Sequence, residues 1–134
     1  MFLEEMVHIK YNFDWSIVSC GAPYITISSL GIAFNSVSID KLNLPDQILI
    51  GFDEENCVIG IKAYEGEKGL KPYEFANRVK NSWIRIGCKE FIKHLQSVSG
   101  INFNPSKRYM AAFDPELKIL IVDILGKTEE EEND

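Results

Sequence analysis

Residues 47–62 read Gln47-Ile-Leu-Ile-Gly-Phe-Asp-Glu-Glu-Asn-Cys-Val-Ile-Gly-Ile-Lys62, two apolar runs that flank the polar segment Asp53-Glu-Glu-Asn56. Branched apolar residues on both sides of a short polar segment are typical of a β-hairpin. We therefore predict two antiparallel strands that are joined by a turn at residues 53–56.

The second half of the chain repeats this pattern in Arg108-Tyr-Met-Ala-Ala-Phe-Asp-Pro-Glu-Leu-Lys-Ile-Leu-Ile-Val-Asp123. At one constant spacing, Phe52 aligns with Phe113, Asp53 with Asp114, Glu55 with Glu116, Ile59 with Leu120, and Ile61 with Val122. Matches of residue type at a fixed spacing indicate an internal repeat. We predict two hairpins, at 53–56 and 114–117, that an approximate twofold axis relates.

Residues 24–64 form the first predicted repeat. Tyr24-Ile-Thr-Ile-Ser28 and Ile32-Ala-Phe34 have strand composition, and Gly31 belongs to the turn between them. Asn35 or Ser36 is a suitable N-cap for a short helix over residues 36–43, and Pro45 prevents that helix from continuing. The 47–62 hairpin then completes a strand-strand-helix-strand-strand unit.

Residues 73–125 form the second predicted repeat, after a Gly- and Pro-containing linker at 65–72. A strand is predicted at Trp83–Ile86, a helix at Glu90–Val98 with Gly100 as its C-cap, and a hairpin over 107–124. For residues 73–80 the sequence leaves a strand and a helical turn open.

Two terminal segments lie outside the repeats. In residues 1–23, the side chains of Tyr11, Phe13, Trp15 and Ile17 alternate with polar residues, which predicts a half-buried strand in an N-terminal arm. Residues 126–134 include Glu129-Glu-Glu-Glu-Asn-Asp134, a block of like charge that is typical of a solvated, disordered tail.

Composition limits the classes of protein that fit. A chain of 134 residues with 46% hydrophobic content can bury the core of one domain or of two very small interlocked ones. Its net charge of −6 opposes non-specific attraction to nucleic acid, unless its 14 Lys and Arg residues gather on one face.

Cysteine and histidine usage gives no catalytic or metal-binding pattern. Cys20, Cys57 and Cys88 are widely spaced and form no Cys-x-x-Cys pair, so we expect no disulfide, no zinc site and a cytoplasmic location. No apolar run is long enough to cross a membrane. Neither His8 nor His94 lies near a nucleophile at a recognisable spacing, and the acidic hairpin tips do not match a calcium loop. The prediction is a non-enzymatic protein with no cofactor and no metal.

The order of these elements resembles the AbrB-type swapped-hairpin domain, and its tandem form resembles MraZ-type proteins. The resemblance lies in Ile25 to Phe34, Ser38 to Leu44 and Ile48 to Lys62, and again in Trp83 to Leu95 and Tyr109 to Ile124. It implies a mainly β fold with short helices, in which two duplicated units exchange hairpins to form one pseudo-twofold closed barrel.

Members of this family that bind DNA carry a basic first hairpin with a Gly-Arg step, whereas this chain has Gly31-Ile32 and no Lys or Arg between residues 24 and 34. Basic residues concentrate instead in the second repeat. The candidate nucleic-acid-binding residues are Arg78, Lys80, Arg85, Lys89 and Lys93.

Two functions are compatible with this sequence. The first is a small transcription-regulator-like protein that binds DNA through its second repeat, with these five side chains on one side of the fold and clear of Glu74 and Glu90. The second is a protein-interaction or assembly module that keeps the barrel without a DNA-binding face. Its partner would be another protein or a second copy of the chain.

Overall fold

The computed structural model describes residues 21–126 and is mainly β, with nine strands and two short α-helices in that range. The strands are β1 (Tyr24–Ile27), β2 (Gly31–Phe34), β3 (Gln47–Asp53), β4 (Val58–Ala63), β5 (Tyr73–Glu74), β6 (Ile84–Gly87), β7 (Lys107–Met110), β8 (Ala112–Asp114) and β9 (Ile119–Asp123). The helices are α1 (Ser36–Lys41) and α2 (Lys89–Ser99), with a 3-10 helix at Ala76–Arg78.

The strands form two antiparallel sheets. Sheet A has the strand order β6-β2-β1-β7, and sheet B has the order β5-β3-β4-β9-β8. The closed barrel that we expected is wrong for the described residues, because their strands form two separate sheets. The chain crosses from one sheet to the other at Ala111. The Ala111 N–H donates to Pro23 O beside sheet A, and the next residue begins a strand of sheet B.

Both predicted hairpin turns are confirmed. β3 and β4 pair on either side of residues 53–56, with Asp53 opposite Val58. β8 and β9 pair around residues 114–117, with Asp114 opposite Ile119. The predicted 107–124 hairpin is nevertheless shorter than expected, because its first part, β7, pairs with β1 in the other sheet.

Local side-chain chemistry sets the helix ends. The Asn35 side chain accepts a hydrogen bond from Ser38 N at 3.0 Å, which caps α1, and left-handed backbone at Asn43 and Leu44 ends it before Pro45. Gly100 ends α2 with a φ of 77°, as predicted, because glycine adopts this conformation without a Cβ clash. Residues 73–80 contain both alternatives, a two-residue strand and a 3-10 turn.

Every strand of residues 24–64, the first predicted repeat, pairs with a strand of residues 73–125, the second predicted repeat. β1 pairs with β7, β2 with β6, β3 with β5 and β4 with β9. Only the β1–β2, β3–β4 and β8–β9 pairs lie within one of these two segments. The two segments therefore complete each other's sheets.

The core lies between the two sheets and beneath the helices. Its buried residues include Ile48, Ile59, Ile61, Leu95, Leu120 and Val122. Ile50, Phe52 and Phe91 are partly buried and pack against its edge. There the Phe52 and Phe91 rings meet edge to face at 6.1 Å, and His94 of α2 hydrogen-bonds Glu54 at the hairpin tip.

Residues 1–20 of the predicted N-terminal arm (1–23) and residues 127–134 of the predicted tail (126–134) lie outside the described residues, so the predictions made for them stay predictions. Within the described range, the longer helix has 11 residues, too few to cross a bilayer.

We expect Phe75→Ala to lower the free energy of unfolding by about 3–5 kcal/mol, because the side chain is fully buried and its removal leaves a cavity. Its ring meets Phe34 edge to face at 5.1 Å. Leu117→Ala is the control, because Leu117 is 66% exposed and should change stability by less than about 0.5 kcal/mol. Urea denaturation measures both, and equal effects would contradict this placement of the core.

Candidate functional site

The outer face of sheet A presents two arginines in one row across its four strands. Strand alternation turns Ile25, Ile27 and Ile86 towards the core. The intervening residues face outward, and the registers place Arg85 opposite Ala33, Ala33 opposite Thr26, and Thr26 opposite Arg108. Two small side chains therefore separate the two guanidinium groups, which lie on the two edge strands.

Both arginines lie against aromatic rings. Arg108 Cζ is 4.4 Å from the centroid of the Tyr24 ring, and Arg85 Cζ is 5.9 Å from the centroid of the Trp83 ring. Such cation–π contacts hold a guanidinium in place while its N–H donors remain able to bind an anion. The face thus combines fixed positive charge with flat apolar surface.

Charge is divided between the sheets. The strands of sheet A contain three cationic residues, Arg85, Lys107 and Arg108, and no Asp or Glu. The strands of sheet B contain four acidic residues and one lysine, namely Asp53, Glu74, Asp114, Asp123 and Lys62. The acidity of the chain therefore does not extend to sheet A.

Three of the predicted nucleic-acid-binding residues lie along or beside β6. Arg85 is exposed on the strand, Lys80 forms a backbone bridge with Trp83 immediately before it, and Lys89 begins α2 immediately after it. Lys89 and Arg85 line neighbouring pockets that share Leu30 and Gly87.

The other two predicted residues differ in setting. Arg78 ends the 3-10 helix and is exposed. Lys93 lies on α2 with its Nζ 3.6 Å from Glu90 Oε1, so our expectation that the cluster is clear of Glu90 is wrong at this position. Residues three apart on a helix are neighbours, which explains the pair. Glu74 instead accepts a hydrogen bond from Gln47 at 2.6 Å.

Arg108 belongs to this surface but was not among the predicted residues. It lies in the second predicted hairpin, and the alignment of the two predicted hairpins gave no reason to assign its strand to the other sheet. The sequence offered two signals for Arg108. It follows another basic residue, Lys107, and it alternates with Tyr109 along the strand.

A pocket of about 480 Å³ opens on this face. It reaches from β6 across β2 and β1 to the residue before β7, and it contains Arg85 as its one charged residue. The lining residues are Thr26, Ser28, Leu30, Gly31, Ile32, Ala33, Trp83, Arg85, Ile86, Gly87 and Ser106.

A larger pocket of about 600 Å³ lies between the end of α1 and the β8–β9 turn, where Leu42 and Phe113 line it together with Lys41 and Lys118. On the outer face of sheet B, a groove of about 350 Å³ is mostly apolar and includes Leu49, Ile119, Leu70 and the facing glycines. These two cavities lie apart from the arginine row.

Four of the described residues have shifted pKa values, namely Glu67, Tyr73, Cys88 and Tyr109. Burial raises the pKa of the Cys88 thiol to about 11 and also raises the pKa values of Tyr73 and Tyr109. Backbone hydrogen bonds lower the pKa of half-buried Glu67. Within residues 21–126, no group of three or more His, Cys, Asp or Glu side chains could hold a metal ion.

Three comparisons with known proteins give no match. The chain matches no protein-family model, no curated protein and no solved structure.

We expect Cys57 and Cys88 to react slowly with a thiol reagent in the native protein, because both are buried and only about one Cys88 in a thousand is ionised at pH 8. Cys20→Ser removes the third thiol from the measurement. Labelling should be at least about tenfold faster in denaturant, where both thiols are exposed. Native labelling at the denatured rate would contradict the burial of these thiols.

Proposed function

We propose that this chain is a non-enzymatic nucleic-acid-binding protein of the transcription-regulator type, and that its contact surface is the outer face of sheet A. The proposal is carried by the charge division between the sheets. Phosphate binding needs cations that no neighbouring carboxylate neutralises, and sheet A offers Arg85 and Arg108 in strands that contain no acidic residue.

The spacing of the arginines suits an extended polyanion. Three strand separations of about 4.8 Å put the β6 and β7 backbones about 14 Å apart, a span that several phosphates of one nucleic-acid strand cover. The aromatic contacts at Tyr24 and Trp83 limit the motion of the two guanidinium groups. Less side-chain entropy is then lost when each binds a phosphate.

Both arginines come from the second repeat, as the DNA-binding hypothesis requires. Lys80 and Lys89 extend the positive surface at the two ends of β6. Lys93 adds less, because the nearby Glu90 carboxylate carries the opposite charge. A net charge of −6 then repels nucleic acid from the rest of the protein and favours contact through this face.

We also propose how the fold is built. The two repeats are duplicated units that exchange strands, as in the AbrB-type domain. The spacing that aligns Phe52 with Phe113 also aligns Gly60 with Ile121, and these two residues pair directly between β4 and β9. A strand pair centred on equivalent residues is what a local twofold axis requires. The same spacing aligns Cys57 with Lys118, which have φ values of 55° and 59°.

The other strands support the same symmetry. The turns before β2 and β6 contain the same kind of hydrogen bond, from an N–H to the carbonyl oxygen three residues later. Ser28 N–H donates to Gly31 O before β2, and Lys80 N–H donates to Trp83 O before β6. The pairing of β1 with β7 has its counterpart in the pairing of β3 with the short β5. The 600 Å³ pocket fits this scheme, because it lies beside Phe113 at the end of the six-residue α1, whereas the Phe52 ring packs against Phe91 of the 11-residue α2.

The alternative function is a protein-interaction module, which the apolar groove on sheet B favours. Leu49, Ile119 and Leu70 line this groove, and Gly51 and Gly60 face each other across it without side chains. Apolar surface of this kind is a common feature of contacts between proteins. This reading takes precedence if the chain binds no nucleic acid.

We expect a chain cut between Gly66 and Gly69 to persist as a complex of two fragments, because four strand pairs join the repeats. Each fragment alone should lack stable structure, since an isolated two-stranded hairpin is marginal. Circular dichroism of the separate and mixed fragments measures this. A fragment that folds as a monomer would contradict strand exchange between the repeats.

We expect Arg85→Ala with Arg108→Ala to weaken nucleic-acid binding and to reduce its salt dependence by about two units of logarithmic slope, one for each lost phosphate contact. Fluorescence titration at about 50 and 200 mM salt measures the slope.

The matched control is Lys41→Ala with Lys118→Ala, which changes the net charge equally at the 600 Å³ pocket. It should leave the slope nearly unchanged. If only the control variant lost nucleic-acid binding, the binding site would not lie on sheet A. If the unaltered protein binds no nucleic acid at about 50 mM salt, where electrostatic binding is strong, the proposed function fails.

A further inference from the structure

The 480 Å³ pocket on sheet A has the size of a small-ligand site. Pockets that bind ligands typically occupy about 300–1,000 Å³. Its floor is formed largely by backbone and small side chains, including Gly87, Gly31, Ala33 and Thr26. These residues form a recess beside Trp83 and Arg85, which also line it.

The chemistry of the lining suits a ligand that is both flat and anionic. Half-buried Trp83 offers an aromatic surface, and exposed Arg85 offers positive charge close to it. Ser106, the residue before β7, also lines the recess, and no carboxylate does. A nucleotide has these two properties, because its base stacks on aromatic rings and its phosphate binds arginine.

We propose that this pocket takes one unpaired nucleotide, with its base against Trp83 and its phosphate at Arg85, so that the protein prefers single-stranded to double-stranded nucleic acid. This inference rests on the proposed function. In a duplex the bases are stacked on one another, and a base enters a protein recess only when it is unstacked. A face that reads the major groove inserts a helix or a β-ribbon, whereas this face is recessed.

Gly87 allows the pocket to be filled without disturbing the fold. A Cβ added there would meet no atom within 4 Å, and its backbone is not left-handed. Its strand partner Gly31 differs, since a Cβ at Gly31 would lie 1.9 Å from Ile86 O. A larger side chain at 87 therefore occupies the recess, whereas one at 31 would separate β2 from β6.

The test compares binding of labelled oligothymidine, oligouridine and a DNA duplex, each about 12 nucleotides long, to the full chain and its Gly87→Leu variant. We expect the full chain to bind the single strands more tightly than the duplex. Gly87→Leu should weaken single-strand binding by about tenfold and change duplex binding by less than about twofold. The two single strands distinguish DNA from RNA as the source of the nucleotide.

Gly51→Leu is the matched control, because it adds the same side chain to the outer face of sheet B at a position where only Gly60 O lies within 4 Å of the new Cβ. It should leave all three affinities unchanged. Equal losses of single-strand affinity in the two variants would contradict nucleotide binding in the pocket. Tighter binding of the duplex than of the single strands by the full chain would contradict it as well. If Gly87→Leu binds normally while Arg85→Ala with Arg108→Ala does not, the pocket is wrong and the nucleic-acid proposal stands.

A second measurement keeps the inference testable if Gly87→Leu lowers the melting temperature. In a Trp15→Phe chain, Trp83 is the single tryptophan, and a base stacked on it should quench its fluorescence. We expect oligothymidine to quench this emission and the duplex to leave it nearly unchanged. Binding of oligothymidine without quenching would overturn the placement of the base.

Discussion

A β-strand inside a sheet pairs the backbone groups on both of its edges, and in this protein each inner strand of the first half of the chain finds one of its two partners in the second half. β4 illustrates the constraint, because β3 pairs with one edge and β9 with the other, through residues that include Gly60 and Ile121. β1 has the same need, which β2 and β7 meet. The remaining features of the structure depend on this exchange of partners.

The candidate surface is one consequence. Arg85 and Arg108 lie on β6 and β7, the two edge strands of sheet A, and they share a row only because two strands of the first half lie between them. The hairpin tips, with Asp53 and Asp114, extend from sheet B. Pairing between the two halves of the chain therefore separates the charged strand residues into a basic sheet and an acidic one, and the net charge of the chain describes neither sheet.

Local patterns predicted the features that depend on near neighbours in the chain. The hairpin turn at 53–56 follows from two apolar runs around a polar segment, and the end of α2 follows from Gly100. The Asn35 cap needs only the N–H of Ser38 three residues later. The candidate site was predicted in part: Arg85 was named from the clustering of basic residues, whereas Arg108 was missed.

The sequence by itself determined the order of strands and short helices, the two hairpin turns and the alternation that divides inward from outward side chains, because each of these depends on residues a few positions apart. Only the tertiary structure decided that β7 and β8 join different sheets, and that Arg108 crosses to the row of Arg85. The alternation of a strand specifies its two faces but not its neighbour. Its neighbour is chosen by hydrogen bonds and packing between segments that are distant in the chain.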